Sequence, residues 1–114
     1  MDKVQRNRNA VKKWLDTHRN PSGIIYRFQN VITGEIYIGS TRSPLKKRWY
    51  QAVAAANAGR TDPVYENIRR YGKEVFEIEC LHECTPEEDL RSTENEYIEL
   101  HNPELNRNCA KKVK

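Results

Sequence analysis

Two runs of β-branched and aromatic residues, separated by a turn, form the clearest hydrophobic pattern in the chain. The runs occupy residues 24–28 and 35–38, and a Thr-Gly pair ending at Gly34 lies between them. This pattern predicts a β-hairpin in which Tyr26 and Tyr37 lie at neighbouring positions. Tyrosines in a hairpin are most often half-buried packing residues, so the pattern alone gives them no chemical role.

Apolar residues at helical spacing predict helices on both sides of the hairpin. A leading helix over roughly residues 3–17 carries its apolar side chains on one face and basic side chains elsewhere. A second helix is predicted at about residues 45–57. A third begins at Asp62-Pro63, which has the form of an N-cap with a first-turn proline, and ends near residue 72.

The later part of the chain predicts one more strand and one more helix. Apolar and polar residues alternate over about residues 75–81, as they do in a strand. Residues 85–88, Thr-Pro-Glu-Glu, have the form of a capping box with proline at the first helical position, and predict a long helix to about Leu100. The order of elements indicates an α+β fold: a small three-stranded antiparallel sheet flanked by helices, with an extra N-terminal helix.

The length of 114 residues is that of one domain with a single modest core. We divide the chain into a basic helical extension at 1–21, a domain at 22–108 and a basic tail at 109–114. It lacks the run of about 18 apolar residues that a membrane span requires. The N-terminal segment is polar and basic where a secretory signal would be apolar, so we expect a cytoplasmic protein.

The three cysteines, Cys80, Cys84 and Cys109, are an odd number in a chain without an export signal. This argues against a disulfide framework and favours reduced thiols. Cys80 and Cys84 flank His82, but their spacing is not that of a usual zinc finger, and the run into Cys80 alternates as a strand does. We therefore expect core or partly buried thiols in preference to a zinc site.

Charge is unevenly distributed along the chain, although the net charge is only +4. Residues 1–73 hold 15 basic and 5 acidic side chains, whereas residues 74–105 hold 1 basic and 11 acidic side chains. Lys46, Lys47 and Arg48 open the predicted second helix, where cations are unfavourable unless an anion is bound. The basic part can thus face phosphate, and a solvated basic face is the plainer interpretation.

The late helix carries one acidic residue on its apolar face. Glu94 lies three residues before Tyr97 and four before Ile98, which mark that face. A carboxylate turned inward needs a cation or hydrogen-bond donors, because its desolvation is otherwise costly. A metal ion and a structural salt bridge to Arg48 are the two alternatives.

Five ordered features together make the chain similar to the GIY-YIG nuclease family. They are Ile-Ile-Tyr ending at Tyr26, Tyr-Ile-Gly ending at Gly39, Lys-Arg-Trp around Arg48, Glu-Asn-Glu-Tyr-Ile from Glu94, and Leu-Asn ending at Asn106. The resemblance runs from about residue 22 to 106. It departs from the family at Ile24, where the first glycine is expected, and in one extra residue before Arg48.

The resemblance implies the roles of the site residues. Glu94 would bind a divalent ion, Mg²⁺ or Mn²⁺, and Arg48 would stabilise the transition state of phosphodiester hydrolysis. Tyr26 would be the general base, which requires its pKa to be lowered or its proton to be passed on. Tyr37 would orient water or contact phosphate, and Asn106 would brace the site. We assign DNA binding to Gly39, Arg42, Lys46 and Lys47.

The implied function is a metal-dependent DNA endonuclease that leaves 5′-phosphate and 3′-hydroxyl ends, as a stand-alone homing or phage-type nuclease. The alternatives are a noncatalytic nucleic-acid-binding module on the same scaffold, and a small basic interaction protein. The leading helix would either pack against the domain or contact DNA. Three alternatives exist for the choice of target: the specificity is low, it comes from a homodimer, or it resides in a separate partner.

Overall fold

The structure is a computed structural model that describes residues 20–106. The predicted leading helix at 3–17 and the tail at 109–114 lie outside the described residues. The elements, in chain order, are strands β1 (Ile24–Asn30) and β2 (Ile36–Thr41), helices α1 (Leu45–Asn57) and α2 (Pro63–Tyr71), a 3₁₀ turn (Lys73–Val75), strand β3 (Phe76–Glu83) and helix α3 (Leu90–His101). No helix within this part of the chain is long and apolar enough to cross a membrane.

The three strands form one antiparallel sheet in the order β2-β1-β3, which confirms the predicted fold class. The central strand β1 alternates between the two faces of the sheet. Ile24, Tyr26 and Phe28 pack with α1 and α2 on one face, whereas Ile25 packs with α3 on the other. The sheet is therefore covered by helices on both faces, and it carries two separate apolar clusters.

The hairpin confirms the predicted contact between the two tyrosines, with a diagonal geometry. Tyr26 pairs with Gly39, and Tyr37 pairs with Phe28. The rings of Tyr26 and Tyr37 are 6.2 Å apart between centroids. The close diagonal arrangement follows from the pleat, because residues two positions apart on neighbouring strands share a face.

The predicted start of the last helix is wrong. The segment 85–88 forms a turn in which the Glu88 backbone N–H donates to the Thr85 carbonyl oxygen at 3.1 Å. The Glu88 carboxylate accepts from the Thr85 backbone N–H at 2.8 Å, as a capping-box glutamate would, but no helix follows there. The helix begins at Leu90, because Asp89 is the N-cap and accepts from the Ser92 backbone N–H at 2.9 Å.

Candidate active site

A cleft of about 260 Å³ lies beside the edge strand β2, between the start of α2 and the middle of α3. Tyr37 contributes the β2 side, Tyr65 the α2 side, and Arg91 and Glu94 the α3 side. Asn106 closes the end of the cleft after α3. Three of the five predicted catalytic residues, Tyr37, Glu94 and Asn106, thus line one cleft.

Glu94 is held by a serine rather than by an arginine. Its Oε1 accepts a hydrogen bond from the Ser40 hydroxyl at 2.6 Å. Within residues 20–106, Glu94 forms no ion pair with Arg48, so the salt bridge considered as an alternative is not formed there. The carboxylate is half-buried and lines the cleft.

Arg48 and Tyr26, the two other predicted catalytic residues, form a hydrogen-bonded unit with Tyr65. Arg48 Nε donates to Tyr26 Oη at 2.7 Å, and Arg48 Nη2 donates to Tyr65 Oη at 3.3 Å. The guanidinium also lies 5.8 Å from the centroid of the Tyr26 ring. Because Tyr65 lines the cleft and Tyr26 does not, Arg48 bridges the buried phenol and the cleft wall.

The pKa of Arg48 in this unit depends on its burial and on the neighbouring phenols. Burial alone would lower the pKa of the Arg48 guanidinium, but the neighbouring Tyr26 and Tyr65 side chains raise it above the ordinary value. Arg48 therefore carries its positive charge at neutral pH. Its charge faces no carboxylate among the ion pairs of the described residues.

Tyr26 is deeply buried, and its predicted role as general base stays a prediction. The side chain is 1% exposed, and desolvation by burial raises the pKa of Tyr26 well above its ordinary value. Tyr37 also raises this pKa, and Arg48 lowers it by a smaller amount. A base needs both access to the reacting proton and an accessible ionised form. Tyr26 does not line the cleft, whereas Tyr37 does, and burial raises the pKa of Tyr37 as well.

Gly39, which is assigned to DNA binding, is packed tightly against Tyr26. Gly39 is buried, and a Cβ atom placed on it would lie 2.5 Å from Tyr26 Oη. Only glycine leaves room for the phenol at this position of β2. The glycine of the Tyr-Ile-Gly motif therefore provides space for Tyr26, and DNA binding by Gly39 stays a prediction.

The other three residues assigned to DNA binding lie at the surface near the junction of β2 and α1. Arg42 is exposed and donates from Nε to the Pro21 carbonyl oxygen at 3.2 Å. Lys47 is exposed in the first turn of α1, and the Lys46 ammonium lies 5.6 Å from the centroid of the Tyr50 ring. This first turn contains no acidic residue, so the basic side chains and the N-terminal end of the helix dipole give this surface a positive charge.

The Asn106 side chain forms two hydrogen bonds with the backbone of the edge strand β2. Its Oδ1 accepts from the Ile38 backbone N–H at 2.9 Å, and its Nδ2 donates to the Ile38 carbonyl oxygen at 2.7 Å. Asn106 is 6% exposed, so these bonds are shielded from water. The side chain thus satisfies the outer edge of β2 as a neighbouring strand would, and holds Tyr37 in place from the adjacent residue.

We expect the Asn106→Ala variant to lose about 2–4 kcal/mol of unfolding free energy, because two buried backbone groups of Ile38 lose their partners. The measurement is urea unfolding followed by tryptophan fluorescence. The control is Asn95→Ala, an exposed position on α3, which should change the unfolding free energy by less than about 0.5 kcal/mol. Equal stability of Asn106→Ala and the wild type would contradict this structural role.

Sequence reasoning missed two residues that shape the site. Ser40 follows Gly39 directly, but serine after a strand glycine is an ordinary turn signal, and nothing in the sequence links it to Glu94. Tyr65 lies beside Val64 on α2, whose apolar spacing marks only the buried face formed by Val64 and Ile68. The partners of Ser40 and Tyr65 are distant in sequence, so only the folded chain brings them together.

Comparison with known proteins places this arrangement in a family. The family model described as the GIY-YIG catalytic domain matches residues 22–108. No curated protein sequence matches the chain.

Two solved structures are similar to the fold. One is the catalytic domain of the homing endonuclease I-TevI, with a TM-score of 0.60, 25% identity, and coverage of 74% of this chain and 94% of that chain. The other is a glutamate-to-alanine mutant of the I-TevI catalytic domain, with a TM-score of 0.63, 26% identity, and coverage of 77% and 93%. The family match spans most of the chain and includes every residue that lines the cleft, and so the chain belongs to the GIY-YIG family.

Proposed function

We propose that this protein is a divalent-metal-dependent DNA endonuclease whose active site is the cleft between β2 and α3. The observation that carries this proposal is the convergence of Glu94 and Tyr37 on one cleft. Arg48 joins the wall of the same cleft through Tyr65. A carboxylate, a phenol and a guanidinium are the groups that phosphodiester hydrolysis uses.

The donor set at the cleft fits a hard divalent ion such as Mg²⁺ or Mn²⁺. Such ions bind oxygen ligands and retain several water molecules, so one carboxylate together with substrate phosphate is sufficient. Glu94 would hold the ion, and its hydrogen bond from Ser40 would fix the orientation of the carboxylate. When bound, the ion supplies Lewis-acid stabilisation of the phosphate and lowers the pKa of coordinated water.

The other side chains position the reacting groups. We assign to Tyr37 the orientation of the attacking water, because this phenol lines the cleft. Within residues 20–106, Nε and Nη2 of Arg48 bond to phenols, and we assign its Nη1 to a phosphate oxygen in the transition state. Tyr26 is a positioning residue in this scheme, because it packs against Tyr37 and bonds to Arg48.

DNA would approach across the junction of β2 and α1. Arg42, Lys46 and Lys47 supply positive charge there, at the N-terminal end of α1. These contacts are to the phosphate backbone, so they position DNA without reading its sequence. Specificity for a target would then be low, or it would come from a homodimer or a separate partner.

We expect purified wild-type protein to convert supercoiled plasmid to nicked or linear DNA with Mg²⁺, and to leave it intact with excess chelator. The physical reason is that the cation held by Glu94 would offset the negative charge that develops on the pentacovalent phosphate, and the chelator removes that cation. The measurement is agarose electrophoresis, followed by end mapping for 5′-phosphate and 3′-hydroxyl groups. Binding of DNA by gel shift without cleavage in any lane would instead favour the noncatalytic module.

A further inference from the structure

Three potential metal ligands of different chemistry meet at the end of β3, away from the cleft. They are the imidazole of His82, the thiol of Cys84 and the carboxylate of Glu88, and their ligand atoms lie within 4.8 Å of one another. None of the three residues lines the cleft of the proposed active site. The proposed nuclease function uses none of them, so this cluster is an independent feature.

A β-bulge brings His82 into this cluster. Tyr26 pairs with Cys80 and Ile25 pairs with His82, which leaves Leu81 as an extra residue in β3. The bulge reverses the face of the strand. Cys80 packs with the cluster that contains α1 and α2, whereas the His82 ring lies 5.7 Å from the Tyr97 ring of α3. The bulge therefore separates Cys80 from Cys84 and turns His82 toward Cys84.

The backbone around the cluster is fixed by hydrogen bonds. The Cys84 N–H donates to the Gly23 carbonyl oxygen at 3.0 Å, and Asn20 Nδ2 donates to the Cys84 carbonyl oxygen at 3.2 Å. Glu88 Oε1 accepts from the Thr85 backbone N–H at 2.8 Å and lies 2.9 Å from His82 Nε2. Such outer contacts orient ligands before a metal binds.

We propose that His82, Cys84 and Glu88 form a binding site for a transition-metal ion of the zinc class. Nitrogen, sulfur and oxygen donors together suit Zn²⁺ or Co²⁺ and are unsuited to Mg²⁺. A tetrahedral zinc site has ligand atoms roughly 3.5 Å apart, given metal bonds of about 2.0–2.3 Å. On binding, rotation of side chains would widen the 2.9 Å contact between His82 Nε2 and Glu88 Oε1 and bring the more distant ligand atoms, which lie within 4.8 Å, closer together.

Binding would follow a defined proton balance. The Cys84 thiol releases one proton to solvent and binds as thiolate, and His82 binds in its neutral form. The contact between His82 and Glu88 is replaced by bonds from each to the ion. The side chains of His82 and Glu88 are 31% and 35% exposed, which leaves the fourth position of the ion to water. The ion would tie the end of β3 to the loop that leads into α3.

The test is titration of the full chain with Co²⁺, monitored by absorption, and competition for Zn²⁺ with a chromophoric chelator. All proteins carry Cys109→Ser, because Cys109 lies outside the described residues. They also carry Glu94→Ala, which removes the proposed Mg²⁺ ligand. With this background, failure of the zinc site and failure of the nuclease proposal are separate results.

We expect one equivalent of Co²⁺ to produce thiolate-to-cobalt absorption in the near ultraviolet and the visible bands of tetrahedral Co²⁺. Cys84→Ala should remove the thiolate absorption, and Glu88→Gln should weaken Zn²⁺ binding by about 10-fold or more. The matched control is Cys80→Ala, which removes the neighbouring thiol in β3 and should leave both unchanged. Zn²⁺, but not Mg²⁺, should raise the Tm.

Two results would overturn the proposal. One is the absence of thiolate-to-cobalt absorption in the protein that retains Cys80 and Cys84. The other is an equal loss of the absorption in Cys80→Ala and Cys84→Ala. Because Cys84 is buried and its replacement can disturb folding, Glu88→Gln provides the second criterion. Unchanged Zn²⁺ affinity in folded Glu88→Gln also contradicts the site.

Discussion

Replacing Glu94 with alanine should reduce plasmid cleavage by about 1,000-fold or more, because the variant loses the carboxylate that would hold the divalent ion. DNA affinity should change by less than about threefold, because binding depends mainly on basic side chains and the phosphate backbone. Folding should be preserved, since Glu94 is half-buried and its bonded partner Ser40 can turn to water. The measurements are single-turnover cleavage, gel shift and thermal unfolding.

The matched control for this experiment is Glu96→Ala. Glu96 lies on the same helix and carries the same charge, but it is exposed and does not line the cleft. Its replacement should leave the cleavage rate within about twofold of the wild type. Cleavage by Glu94→Ala at the wild-type rate would remove Glu94 from the active site and with it the proposed metal ligand.

Arg48→Ala should lower cleavage at saturating DNA by about 100-fold or more, with a change in DNA affinity of less than about threefold. The reason is that the guanidinium would stabilise charge that develops on the phosphate, and that its bonds to Tyr26 and Tyr65 keep it in place. Arg48→Lys should not restore the rate. Lysine keeps the charge but cannot donate to both phenols in a fixed geometry.

Lys47→Ala is the control with the same change in net charge. Lys47 precedes Arg48, but it is exposed and forms no bond to a residue of the site in the described chain. Its loss should weaken DNA binding and the salt dependence of binding, with little effect on cleavage at saturating DNA. If Arg48→Ala loses binding and cleavage in equal measure, Arg48 is a phosphate anchor and not a group that acts on the transition state.

The parts of the fold that sequence reasoning predicted are those with local signals. The span of α1 is as predicted from apolar spacing, and α3 ends at His101, one residue after its predicted end. The family assignment is confirmed, because it depends on several short motifs in a fixed order. The predicted start of α3 is wrong, because the N-cap of this helix is Asp89 and not Thr85.

The site was less predictable, because its properties arise from contacts between distant residues. The spacing of Tyr26 and Tyr37 predicted that the two phenols lie close together. How deeply each phenol is buried depends on the rest of the fold, which the motif does not encode. Burial raises the pKa of Tyr26, and β2 covers it so closely that position 39 must be glycine. Likewise, no sequence signal marks the bulge at Leu81. The face of the sheet on which His82 lies depends on this bulge, so the sequence alone does not assign it.

The central position of β1 affects how the sheet assembles during synthesis of the chain. β1 meets β2 through a short hairpin, but its partner on the other side, β3, follows only after α1 and α2. A two-stranded hairpin by itself has marginal stability in water. Tyr26 and Phe28 are covered by α1 and α2, but Ile25 gains its cover late, after the strand that pairs with it through His82 has been made. Assembly of the sheet is thus governed by closure of a long loop, which makes it slower than formation of the hairpin.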